Sequence, residues 1–102
     1  MRHISTRGEA KALDFAEVML AGLAGDGGLY VPEAWPRLER QTILGFAGRP
    51  YAEVALEVIR LFTGSSIGEA DLARMTREAY GTFRHPAVAP LVQLGEIGRA
   101  HV

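Results

Sequence analysis

At 102 residues, 48% hydrophobic and 23% charged, the chain has the size and composition of one folded domain rather than a disordered segment. A formal charge of −1 gives no net pull toward nucleic acid or an anionic membrane, and with no cysteine the chain has no disulfide, thiolate catalyst or cysteine-ligated zinc. No window approaches the roughly 18 apolar residues of a membrane span, and Met1 to Gly8 is polar and lacks a signal-peptide core. A cytoplasmic protein is expected.

Arg2 to Thr6 alternates loosely around the β-branched Ile4 and Thr6, which predicts a short strand before Gly8. Asp14, with Glu17 three positions on, predicts a capping box, followed by a helix with Phe15, Val18, Met19 and Leu23 on one face. Gly22 and Gly25 end that helix. Asp26-Gly27-Gly28 is a turn signal, and Leu29-Tyr30-Val31, closed by Pro32, predicts a second strand pairing with the first.

A short helix is expected over 38–46. Pro50 then sits in the first turn of a helix whose stripe is Tyr51, Val54, Ala55, Val58, Leu61 and Phe62, stopped by Gly64. Ser66 with Glu69 reads as another capping box, opening a helix to Tyr80 with Leu72, Met75 and Ala79 inward and Arg74 paired to Asp71 and Glu78 outside. Past Gly81, Pro86 and Pro90 exclude helix and the chain is extended through the apolar run Leu91 to Leu94. The fold class is α+β, a small α/β domain of two or three short strands with three or four helices.

Few residues offer chemistry. The glycines Gly22, Gly25, Gly27 and Gly28 follow a helix and precede a strand, the reverse of a phosphate-cradling loop, so they read as a C-cap and a turn. Lys11 is the sole lysine and lies in a charged connection, unsuited to the buried, low-pKa site that a Schiff base needs. His3, His85 and His101 have no partners at metal-ligand spacing, and the serines lack a nucleophile elbow. Glu53 and Glu57 share a polar helix face and read as solvated. No catalytic, cofactor-binding or metal residue is assigned. Thr6 and Arg7, in Ser5-Thr6-Arg7-Gly8, are the candidate substrate-side residues: a guanidinium at a strand end can meet a phosphate or a carboxylate, or the string simply ties the strand to the next turn.

In order, ISTRG, Phe15 with Glu17, GLAGDGGLYVPE, Trp35-Pro36, PYAEVALEVIRLFTG, REAYGTF and PLVQL resemble the amino-terminal domain of the threonine synthase family. The resemblance spans residues 1–94 and implies a small domain packed on a larger pyridoxal-phosphate domain, the complete enzyme converting O-phosphohomoserine and water to threonine and phosphate. The family's cofactor lysine and phosphate loop lie beyond the matched motifs, so the chain alone is expected to be structural and inactive, to bind no cofactor, and to have the carboxy-terminal pyridoxal-phosphate domain as its partner. Residues 95–102 depart from the family, and one back-translation of Ile97 to Val102 matches a sequencing-library adapter; this tail is expected to be artefactual and poorly packed. The alternative is a stand-alone α+β domain that binds another protein. A helix-turn-helix reading of the helices after Pro50 and Ser66 is opposed by Glu69, Asp71 and Glu78 among the arginines.

Overall fold

The computed structural model describes residues 1–95 and, for the backbone, 99–101. The chain opens with β1 (Arg2–Ser5), β2 (Leu13–Asp14) and α1 (Phe15–Ala21), then β3 (Tyr30–Pro32) and the single-turn α2 (Arg40–Leu44). Two longer helices follow, α3 (Tyr51–Thr63) and α4 (Glu69–Gly81), then β4 (Leu91–Gln93) and β5 (Arg99–His101). This is the expected α+β class, with five short strands and four helices among the described residues. None of the described helices is long and apolar enough to cross a membrane.

The first sheet is antiparallel with order β2-β1-β3; Ile4 stands opposite Val31, and His3 lies between Leu13 and Pro32. Strand alternation turns His3 and Ser5 inward and Ile4 outward, so the buried face of β1 is polar. The His3 ring packs against Phe15 at 6.2 Å between centroids, and its Nδ1 has no hydrogen-bond partner. The capping box of α1 forms as predicted: Glu17 N donates to the Asp14 carboxylate at 2.9 Å and Asp14 N to Glu17 at 3.3 Å. At the C-terminal end Gly22 adopts φ 73°, which a glycine reaches without strain.

Helices α3 and α4 form a helical hairpin that carries much of the tertiary packing. Pro50 is the N-cap of α3 rather than a first-turn residue, and α4 starts from Gly68 with no side-chain cap, so Ser66 and Glu69 form no capping box; Glu69 instead pairs with Arg60 of α3 at 3.2 Å. Leu72 and Thr76 face inward on α4, while Met75 and Ala79 are exposed. Glu53 and Glu57 are not merely solvated: Arg49 reaches both, and Arg60 holds Glu57 at 2.8 Å. Arg74 pairs with Asp71 and Glu78 as predicted. Met19 on α1 and Leu23, just past its C-cap, are exposed rather than inward. Of the tail, Arg99–His101 pairs antiparallel with β4; the expectation of poor packing otherwise falls on Glu96 to Gly98 and Val102, outside the described residues.

The core is small for so apolar a chain. Among the described apolar residues only Ala24, Leu72 and Val88 are buried, whereas Leu20 is 86% exposed, Leu94 76%, Leu23 70% and Trp35 68%. The radius of gyration is 16.8 Å, against about 13 Å for a compact domain of this length. The accessible surface is 7681 Å², about a third more than an 11.0 kDa globular protein exposes. The elements are formed, but their apolar faces are not closed against each other.

Leu72 and Leu20 separate these two situations. Leu72→Ala, at a 5% exposed site, should cost about 2–5 kcal/mol in urea unfolding of the chain. Leu20→Ser should change the unfolding free energy by no more than about 0.5 kcal/mol. Equal losses at both positions would show that α1 is covered within this chain.

Candidate functional site

The densest set of polar contacts lies where β1 ends and the loop before β3 returns, and Asp26 is its centre. The Ser5 hydroxyl donates to the Asp26 carboxylate, 2.7 Å from both oxygens. Backbone amides complete the cage: Gly28 N at 2.9 Å to Oδ1, with Ala10 N at 2.9 Å and Glu9 N at 3.0 Å to Oδ2. One carboxylate thus joins the strand end, the 7–10 turn and its own loop. The bond from Gly28 is an Asx-turn, which explains an aspartate at this position. The Ser5 hydroxyl, and then the amides of Gly28, Ala10 and Glu9, outweigh partial burial and lower the Asp26 pKa from 3.8 to about 2.

Thr6 extends the ladder beyond β1. Its amide donates to Leu29 O at 2.8 Å, and Leu29 N donates to its hydroxyl at 3.0 Å. Arg7 N donates to Ser5 Oγ at 3.1 Å, and Arg7 Nη1 to Asp26 O at 3.1 Å. The two close glycines are explained by these approaches. A Cβ on Gly28 would lie 2.6 Å from Ser5 Oγ and 2.9 Å from Thr6 Oγ1; Gly27, at φ 85°, lies under the Arg7 guanidinium.

This geometry sets limits on chemistry. Asp26 is saturated with donors and ionised far below neutrality, so it is no proton acceptor near pH 7. The Thr6 oxygen already accepts a backbone bond. The exposed Arg7 uses only Nη1 among the described contacts, leaving Nη2 and Nε to reach a phosphate or carboxylate outside the corner. Thr6 and Arg7 are therefore brought together, and of the two Arg7 keeps the larger unused donor capacity. Lys11 is exposed in the loop before β2, away from any enclosure. His85 Nδ1 accepts from Ala87 N in a loop, and no cluster of potential metal ligands occurs among the described residues. Sequence reasoning took Asp26 only as a turn former; the Asp-Gly-Gly string signals the Asx-turn, but nothing in it tells which distant amides the second oxygen receives.

The family model for the threonine synthase N terminus matches residues 2–80. The chain belongs to the threonine synthase family. It is 55% identical to threonine synthase of Pseudomonas aeruginosa over 94 residues, covering 92% of this chain and 20% of that protein. It is 38% identical to threonine synthase of Schizosaccharomyces pombe over 93 residues, covering 90% and 18%. Among solved structures, the pyridoxal-phosphate-bound threonine synthase from Brucella melitensis superposes with a TM-score of 0.88 at 51% identity, over 99% of this chain and 22% of that one. The yeast enzyme gives 0.80 at 33% identity, over 91% and 19%. The chain spans about a fifth of the length of these relatives.

The Asp26 cage has a pH signature of defined sign. A lowered folded-state pKa adds stability that is complete above the unfolded value of 3.8 and is lost as pH falls toward about 2. Asp26→Asn should lower the unfolding midpoint at pH 7 and flatten the stability profile between pH 4 and 2, read by urea titration at each pH. Gly28→Ala, by overpacking against Ser5 and Thr6, should cost about 1–3 kcal/mol at pH 7.

Proposed function

We propose that the chain is the amino-terminal domain of a threonine synthase, a packing platform for a larger cytoplasmic catalytic domain rather than a catalyst by itself. In this reading the complete protein converts O-phosphohomoserine and water to threonine and phosphate with pyridoxal phosphate. One observation carries the platform role: the surface left open. An excess of roughly 2,000 Å² over a closed protein of this mass is the scale of one side of a large, permanent interface. Its exposed leucines on α1 and around β4 are the residue type such interfaces bury.

The residues present do not fit the cofactor. Its aldehyde needs a sheltered amine and its phosphate a strand-to-helix glycine loop. Lys11 is exposed, and the glycines around Asp26 lead out of a helix into a strand. Holding the cofactor falls to the larger domain. Thr6 and Arg7 are this chain's contribution to the substrate side, with Asp26 as the positioning residue that fixes Arg7 at the rim. The apolar run at Leu91 and Leu94, exposed in this structure, favours a covalently continuous catalytic domain over an unrelated protein partner.

The test is phosphate release from O-phosphohomoserine. The chain with pyridoxal phosphate should stay at background, and adding the carboxy-terminal four-fifths of the Pseudomonas aeruginosa enzyme should produce turnover. In that complex Arg7→Gln should lower kcat/KM about tenfold. Phosphate release by the chain alone would overturn the platform reading.

A further inference from the structure

The connection between β3 and α3 stands away from the rest of the fold. It is held near both ends: the Trp35 ring meets Phe62 of α3 edge to face at 6.3 Å, and Arg49 pairs with Glu53 at 3.4 Å. Between these points residues 39–45 are all exposed, Ile43 and Leu44 by more than half, and none of the main helix and strand packings involves α2. A five-residue helix without a side-chain cap is too short to persist in water by itself. Together with the exposed Trp35, its apolar residues form a patch that needs cover.

The charges of the segment say what that cover is. Glu33 is taken up by Arg2 at 3.3 Å, but the side chains of Arg37, Glu39 and Arg40 have no ion pair or hydrogen bond among the described residues. A partner surface of one sign would leave either Glu39 or Arg40 facing a like charge, which is costly. Adjacent residues of opposite sign instead make the patch complementary to itself. A two-fold axis passing between them sets each Glu39 against Arg40 of the second copy. The same antiparallel register sets Trp35 against Leu44 and Pro36 against Ile43, so the apolar residues meet in the same arrangement.

We propose that the Trp35–Leu44 segment is a homodimer contact, and that its occupant is the same segment of a second copy of this chain. The apolar residues supply the affinity, and the Glu39–Arg40 pairs fix the register and exclude partners of uniform charge. One short segment a side belongs to the class of small interfaces, so the dimer is weak, with a Kd on the order of 10 μM. The platform role rests on α1 and the residues around β4, and this contact stands independently of it.

The experiment is sedimentation equilibrium of the chain, with Trp35, its one tryptophan, read by fluorescence over the same concentrations. The chain should follow a monomer–dimer equilibrium, and its emission should move to the blue as the dimer forms. E39R and R40E should each weaken association about tenfold or more, because like charges then face each other across the axis. An equimolar mixture of the two variants should return to within about threefold of the parent's Kd, since each reversal is complemented by the other. A chain still monomeric at about 200 μM, a dimer indifferent to both reversals, or a mixture no better than its components would overturn the proposal. Should the isolated chain give an unfolded circular-dichroism spectrum, the same series on a chimera carrying residues 1–94 in place of the matching part of the Pseudomonas aeruginosa enzyme decides by the same criteria. A monomeric chimera with Trp35 buried would assign the patch to the catalytic domain and overturn the proposal.

Discussion

The carboxylate of Asp26 is the point on which the amino-terminal half depends. Its bonds run to Ser5 at the end of β1, to the amides of Glu9 and Ala10 in the turn toward β2, and to Gly28 ahead of β3. These strands have only two to four residues each, too short to fix their own connections by ladder bonds alone. A charged acceptor shared by four donors replaces the missing ladder and sets where each connection leaves the sheet. Gly28 is the geometric condition for this, since any Cβ there would occupy the space of the Ser5 hydroxyl. Arg7, bonded to the Asp26 carbonyl, takes its position from the same corner.

The rest of the molecule follows a different logic. Helices α3 and α4 form a hairpin joined by one arginine–carboxylate contact, Arg60–Glu69, while Arg49 and Arg60 both pair with Glu57 along α3. Such surface pairs contribute little individually, and the apolar stripe of α3 is only half buried. The elements are well formed while their apolar faces stay unclosed, in a chain that spans about a fifth of its relatives' length. A self-sufficient binding module would instead combine a closed core with one bounded apolar patch.

Local rules were legible wherever the determinant was local. The Asp14–Glu17 capping box, the glycine after α1, the pairing of the first and third strands and the Arg74 ion pairs depend on residues a few positions apart, or on turn chemistry, and all were readable. The predicted Ser66–Glu69 cap failed because α4 starts later than the pattern implies: Gly68 is the N-cap and Glu69 the first helical residue, so the pair is not at the N-cap and N3 positions that a capping box requires. The inward faces of α1 and α4 were misjudged for a different reason. Periodicity identifies an apolar stripe but not what covers it, and here Met19, Leu23 and Met75 remain outside. The burial of His3 was invisible because a polar residue on the inner face inverts the usual strand pattern. At the corner, Thr6 and Arg7 stood out as a polar string, while the role of Asp26 beyond its own turn required knowing which amides the fold brings to it.

Hydrogen exchange on the chain near neutral pH tests the Asp26 hub most directly. The amides of Ala10 and Gly28, although in loops, should exchange as slowly as those of the β1–β3 ladder, and Asp26→Asn should release both together. Exchange of Ala10 and Gly28 at the rate of the neighbouring Lys11 amide, or release of only one of them in the variant, would contradict the account.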